Sequence, residues 1–264
     1  MESLLYFPEV QFTNERDVLN YASEIPYSSF GAVVNRFCGV PVDLRFGGSC
    51  IEKALIPLLY LPEGSTQLLW DPSCGHFAVS IESGVLGNHG RRYFDPTYGQ
   101  MGVEHTEQGI YATMQGLSLQ VKESTRGFNV RIFTQGDKFK KDFLGRKKPE
   151  AFYNMVPVDV PLDRAIDHVI GTTRRYPLRL AIKYGGYNPG ETVSIQYSSE
   201  DDALTGRISN IFERTTSPAS AEIFLGMQDR LGITSYELLD YFRDTWSRAP
   251  ILAAELARRR YYDN

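Results

Sequence analysis

The sequence predicts an α+β protein, and three observations carry that reading. Apolar residues follow helical spacing over about the first sixty positions, alternate with period two from about residue 67, and return to helical spacing from Ser220 onward. Helices and strands are therefore segregated along the chain, which distinguishes an α+β layout from a parallel α/β one. The 264 residues, 42% hydrophobic and 23% charged, suit an ordinary globular core of one large domain or a few small layers.

The elements follow in order. "NERDVLNYASEI" opens with a capping residue, Asn14, and puts Val18, Leu19 and Ala22 on one helical face. "IEKALIPLLYL" is apolar enough for a buried helix that Pro57 must bend or end. In "HFAVSIES", Phe77, Val79 and Ile81 face one way while His76, Ala78 and Ser80 face the other. "RRYFDPTYG" supplies a second strand after the turn-rich "GVLGNHGRR", and "LSLQVKES" with "FNVRIFTQ" forms a further hairpin. "GDKFKKDFLGRKKPEAF" reads as a basic connection, followed by a helix in "LDRAIDHVIGTTRRYP". "LRLAIKYG" and "TVSIQYS" read as strands joined by "GGYNPGE", and the tail is helical, punctuated by Gly232 and Pro250.

Bulk properties narrow the function. A net charge of −4 does not point to nucleic acid or to an anionic membrane surface. No apolar run reaches the roughly 18–20 residues that span a bilayer, and "MESLLYFPEVQF" lacks the pattern of a signal peptide. Three cysteines without CxxC spacing argue against a disulfide framework and a structural zinc site, and for a reducing cytoplasmic setting.

Cys50 in "GGSCIEKA" raises the central question, because a free cysteine is as readily small core filler as a nucleophile. At a helix start, the positive end of the dipole favours its thiolate. A cysteine nucleophile also needs a base, and the base needs an orienting partner on its other ring nitrogen. His76 at a strand start and Asp95 on the next strand can supply both. Gly47 and Gly48 permit the tight backbone before Cys50, and amides of the Gly48-Ser49-Cys50 turn are candidate oxyanion donors.

These residues carry a family resemblance. "GGSCIE" resembles the G-G-x-C-x-E nucleophile motif of arylamine N-acetyltransferases, and "IPYSSFGAVVNRFCGVPVDLRFGGSC" resembles a shortened form of the segment preceding it there. "GHFAVSIESG" followed by "RRYFDPTYG" is similar to the H…D-P-T-Y-G signature of transglutaminase-like proteins, of the same papain-like superfamily. The chain departs from the first pattern at Phe46, where that family usually has arginine, with Arg45 one place earlier.

The resemblance implies a helical bundle over residues 1–65 carrying Cys50 and a β-barrel over 66–150 carrying His76 and Asp95. It implies a mixed α/β lid over 151–264. It gives Cys50, His76 and Asp95 the roles of nucleophile, base and orienter, with Gly48 and Ser49 at the oxyanion position. The implied activity is acyl transfer or amide synthesis through an acyl-Cys50 intermediate, as in natural-product assembly. The donor would be an acyl-CoA or an acyl-carrier-protein thioester, the acceptor a small-molecule amine, with no metal. A transglutaminase-like or hydrolytic activity on a peptide or amide bond, or a non-catalytic binding role, are the alternatives.

Other candidates compete less well. Cys38 reads as core filler, and Cys74 lies in a strand-edge loop without a helix dipole. His89 reads as a solvated turn residue; His105 and His168 show no partner pattern. Glu52 reads as an acidic residue at a helix start, with a structural bond near the triad as the alternative. The basic stretch Lys138, Lys140, Lys141, Arg146, Lys147 and Lys148 reads as a solvated loop, with attraction of a phosphate or acidic carrier as the alternative.

Overall fold

The computed structural model describes residues 5–6, 11–82, 91–97, 103–106, 109–114, 117–134, 151–172, 180–185, 191–210, 215–218 and 221–262. It is a mixed α+β structure. The first part contributes α1 (Glu15–Glu24), α2 (Ser29–Phe37) and α3 (Cys50–Tyr60), with a short parallel pair, β1 (Leu5–Tyr6) and β2 (Val42–Asp43). Asn14 caps α1 by accepting from the Asp17 amide at 3.0 Å, and Val18 and Ala22 are buried on its inner face. α3 continues through Pro57 to Tyr60.

Eight antiparallel strands form the central sheet: β3 (Thr66–Asp71), β4 (His76–Glu82), β5 (Arg91–Phe94), β6 (Val103–Thr106), β7 (Gly109–Met114), β8 (Leu117–Ser124), β9 (Gly127–Thr134) and β10 (Ala151–Pro157). Their order is β5-β4-β3-β10-β9-β8-β7-β6, so strands consecutive in the chain occupy the two edges. The backbone from Phe94 to Val103 spans about 30 Å at most, less than the roughly 34 Å width of eight strands laid flat. The sheet must therefore curl, and Leu69, Ala78, Tyr93, Leu119, Phe128 and Met155 pack together in a core between its halves. β10 was not apparent in the sequence, where a basic connection runs into it, yet it joins β3 to β9.

The alternation expected of β4 is present, and both of its faces are buried. Phe77, Val79 and Ile81 join the core shared with α1 and α3, while Ala78 joins the core between the sheet halves. The hairpins β4–β5 and β8–β9 form as read.

After β10 come α4 (Leu162–Thr172) and a four-stranded antiparallel sheet of β11 (Ala181–Gly185), β12 (Glu191–Ser198), β13 (Ala203–Asn210) and β14 (Thr215–Pro218). α5 (Ala221–Leu231) and α6 (Ser235–Tyr262) close the chain. α2 packs with this sheet and α6 in a third core around Phe30, Val34, Ile182 and Phe242. Gly232, at φ +63°, separates α5 from α6, whereas Pro250 lies inside α6 and does not divide it. His89, the basic stretch 138–148 and the turn at 186–190 lie outside the described residues.

Candidate functional site

The site begins with an extended segment, Pro26–Ser28, that joins three parts of the molecule. The Tyr27 amide donates to the Lys183 carbonyl of β11 at 2.7 Å, and the Ser28 amide to the Gly48 carbonyl at 3.0 Å. Gly48 returns its own amide to the Pro26 carbonyl at 3.0 Å. Gly47, at φ +102°, sits so close to this segment that a β-carbon would lie 2.7 Å from the Pro26 oxygen. Only glycine fits there, by backbone angle and by space.

Ser49 is the N-cap of α3 and Cys50 its first residue. Glu52 reaches back to accept from the Ser49 amide at 2.7 Å and from the Ser49 hydroxyl, the reciprocal half of a capping box. Arg36 of α2 pairs with Glu52 and donates to the Ser49 hydroxyl oxygen at 3.2 Å. Burial pushes the Arg36 guanidinium down to about 10, against the opposing pull of Cys50. Arg45, next to the motif position where Phe46 stands, points elsewhere: it is half-exposed and pairs with Asp43 at 2.7 Å.

The Gly48 and Ser49 amides, expected as oxyanion donors, are thus engaged with Pro26 and Glu52. These residues fix the turn instead. Among the described residues the Cys50 amide donates no hydrogen bond, as is usual for the first-turn N–H groups of a helix. It is the donor of this turn available to a developing oxyanion.

The structure brings Cys50, His76 and Asp95 together. Register pairs Val79 with Phe94 and Ser80 with Tyr93, so His76 and Asp95 share one sheet face on a diagonal. His76 Nε2 lies 2.7 Å from Asp95 Oδ2. Asp95, fully buried, also accepts from the Tyr93 hydroxyl at 2.8 Å and the Thr97 amide at 3.1 Å. The Cys50 thiol also acts on the ring as a hydrogen-bonding neighbour, and Nδ1 is the ring nitrogen that does not face Asp95. Cys50 Sγ is also 3.7 Å from the Gly75 carbonyl oxygen, as a weak donor.

Burial pushes His76 down, but the charge and hydrogen bond of Asp95, aided by Cys50, outweigh it and raise the ring well above its ordinary value. This favours an imidazolium that a neighbouring thiolate would stabilise. Tyr153 of β10 stacks on the ring with centroids 4.4 Å apart.

Lys53, one turn into α3, is 2% exposed and donates to the Ile25 carbonyl at 2.7 Å and the Ser23 carbonyl at 3.2 Å. Burial pushes it down to about 7, against the pull of Asp95 and then Cys50.

Cys74 is half-buried on the turn before His76, its Sγ 3.9 Å from the Asp71 carbonyl oxygen, and burial raises its thiol. Cys38 ends α2 half-buried. His168 is exposed, bonded to the Pro72 carbonyl and edge-on to Trp70. Among the described residues no group of three or more His, Cys, Asp or Glu is arranged to hold a metal, and no helix is long and apolar enough to cross a membrane.

Arg36, Lys53, Tyr93 and Tyr153 escaped the sequence reading. Signals for three of them existed. Charges inside "AVVNRF" and "IEKALIPL" imply burial, and period two puts Tyr93 on the face of Asp95. "SCIE" itself fits the S-x-x-E capping box. No protein-family model, curated protein or solved structure matches the chain.

Proposed function

We propose that this protein is a cysteine acyltransferase or amide synthase of the arylamine N-acetyltransferase-like type. It moves an acyl group from a CoA or carrier-protein thioester to an amine through acyl-Cys50. The observation that carries the reading is the buried Cys50–His76–Asp95 chain, with the thiol at a helix start and the imidazole oriented through Nε2. On this reading residues 1–65 hold the nucleophile and 66–150 the base and its orienter; of 151–264, β10 completes the central sheet and the elements after it form the cover over the site, in a papain-like layout.

The Cys50 thiolate attacks the donor carbonyl, and the Cys50 amide donates to the oxyanion. The donor C–S bond breaks, and the departing thiolate takes the His76 proton from Nδ1. The amine then attacks the acyl-cysteine and gives a proton to His76. The amide leaves, and the Cys50 thiolate is restored beside the imidazolium. Asp95 keeps its proton-accepting oxygen on Nε2 throughout and fixes the tautomer.

Intact-mass analysis after incubation with a panel of acyl-CoA and acyl-carrier-protein thioesters tests this. The expected result is one acyl adduct on Cys50, absent in Cys50→Ala and discharged by an amine. An adduct on Cys74, or acyl transfer retained by Cys50→Ala, refutes the mechanism. Discharge to water alone, with no amide formed, identifies a hydrolase that uses the same chain.

A further inference from the structure

Lys53 has no place in the chemistry above, yet it is the least expected residue near it. A lysine ammonium is almost never fully buried unless it is paired, and among the described residues no carboxylate stands within ion-pair distance of this one. Its described partners are two neutral carbonyls at the end of α1, Ser23 and Ile25. Removing a cation from water without a counter-ion opposes folding, and an apolar residue of similar shape would serve the fold better. Holding α1 against α3 does not require a charge, since these helices already share an apolar core that includes Val18, Ala22, Ile51 and Leu55.

The position of the charge is informative. Lys53 follows Cys50 by three residues, so the two share a face of α3. Helical side chains lean toward the N-terminus, which carries the Lys53 stem back toward the turn bearing Cys50. The anionic groups acting on its ammonium are Asp95 first and Cys50 second, the two ends of the site chain, with His76 between them. The other charges near the helix start compensate each other, because Arg36 is paired with Glu52. On α1, Glu15 is half-buried, and the Arg92 charge opposes the rise that burial imposes on its carboxyl.

We propose that Lys53 is a positioning residue whose buried ammonium, held on the Ser23 and Ile25 carbonyls, supplies the positive field that favours the Cys50 thiolate beside the His76 imidazolium. This inference rests on the reading of Cys50 as the nucleophile. Lys53 touches neither substrate nor thiol and acts through charge alone. A group that loses its own charge near neutrality also makes this field pH-dependent: it is present at acidic pH and fades on the alkaline side.

The test is the pH profile of Cys50 alkylation by iodoacetamide, read by mass at that residue, in the wild type and in Lys53→Met. The expected result is a folded variant whose profile moves about one pH unit upward, making alkylation about tenfold slower on the acidic limb. A merely structural lysine would change the melting temperature and leave the profile in place. A folded Lys53→Met with an unchanged profile, beside a fast-reacting wild type, overturns this inference alone. Wild-type Cys50 reacting no faster than glutathione overturns the nucleophile reading.

Should Lys53→Met fail to fold, the coupling is read in the opposite direction, since it is reciprocal. NMR titration of the Lys53 ε-carbon in Cys50→Ala should then show a midpoint lower than in the wild type. An unmoved midpoint overturns the proposal.

Discussion

Asp95→Asn tests the site more sharply than deletion of the thiol, because it keeps the shape and removes the charge. Asp95 is fully buried and accepts from three donors: His76 Nε2 and Tyr93 Oη on Oδ2, and the Thr97 amide on Oδ1. An asparagine has one accepting oxygen and one donating nitrogen. If its oxygen faces His76 and Tyr93, its NH2 meets the Thr97 N–H, donor against donor. If it is flipped, the NH2 meets His76 and forces the proton onto Nδ1, the wrong tautomer for accepting the thiol proton. Either orientation leaves a buried donor unpaired, at about 1–3 kcal/mol, and weakens the remaining bonds from charge-assisted to neutral ones. The expected loss is about 2–5 kcal/mol in urea unfolding, large against a typical domain stability of roughly 5–15 kcal/mol.

The sign with pH follows from His76. A base raised in the folded state contributes stability that is complete below its unfolded value of about 6.5 and disappears as pH rises through its folded value. Without Asp95, burial lowers the ring against the smaller opposing pull of Cys50 alone. The deficit of Asp95→Asn should therefore be larger at pH 6 than at pH 9, and Cys50 alkylation near neutrality should fall by about two orders of magnitude or more. A variant within 0.5 kcal/mol of the wild type, with the His76 NMR titration unmoved, would refute the coupling.

Gly47→Ala should cost about 3 kcal/mol or more, since a β-carbon there lies 2.7 Å from the Pro26 oxygen at φ +102°. Gly39→Ala, at φ +70° with open space around it, should cost only about 1–2 kcal/mol; equal losses in thermal melts would mean the clash at Gly47 is relieved. Arg36→Met leaves Glu52 buried without its partner and should cost about 3–5 kcal/mol. Adding Glu52→Gln should recover most of it, and an additive double mutant would show that the two charges do not interact.

The α+β class, the capped start of α1, the hairpins β4–β5 and β8–β9 and the alternating faces of β4 were legible because they depend on local spacing. So was the candidacy of Cys50, His76 and Asp95, since a glycine pair before a cysteine and a histidine at a strand start are local features. β10 was hidden because Ala151–Pro157 follows a run of basic residues and ends in proline, and its partners β3 and β9 are far away in sequence. Arg36 carries no mark that it will meet Glu52, because α2 reaches the start of α3 only when the turn at Gly47–Gly48 closes onto Pro26–Ser28. Which amides of that turn remain open is likewise a tertiary outcome.

By itself, then, the sequence determined which residues could carry cysteine chemistry, since residue type and local period are written in the chain. Only the tertiary structure decided their relations: that Nε2 of His76 faces Asp95, that the Gly48 and Ser49 amides are occupied and that Lys53 is buried among carbonyls. Hydrogen bonds and desolvation depend on distances between segments remote in sequence, and those distances exist only once the sheet has curled and the helices have packed against it.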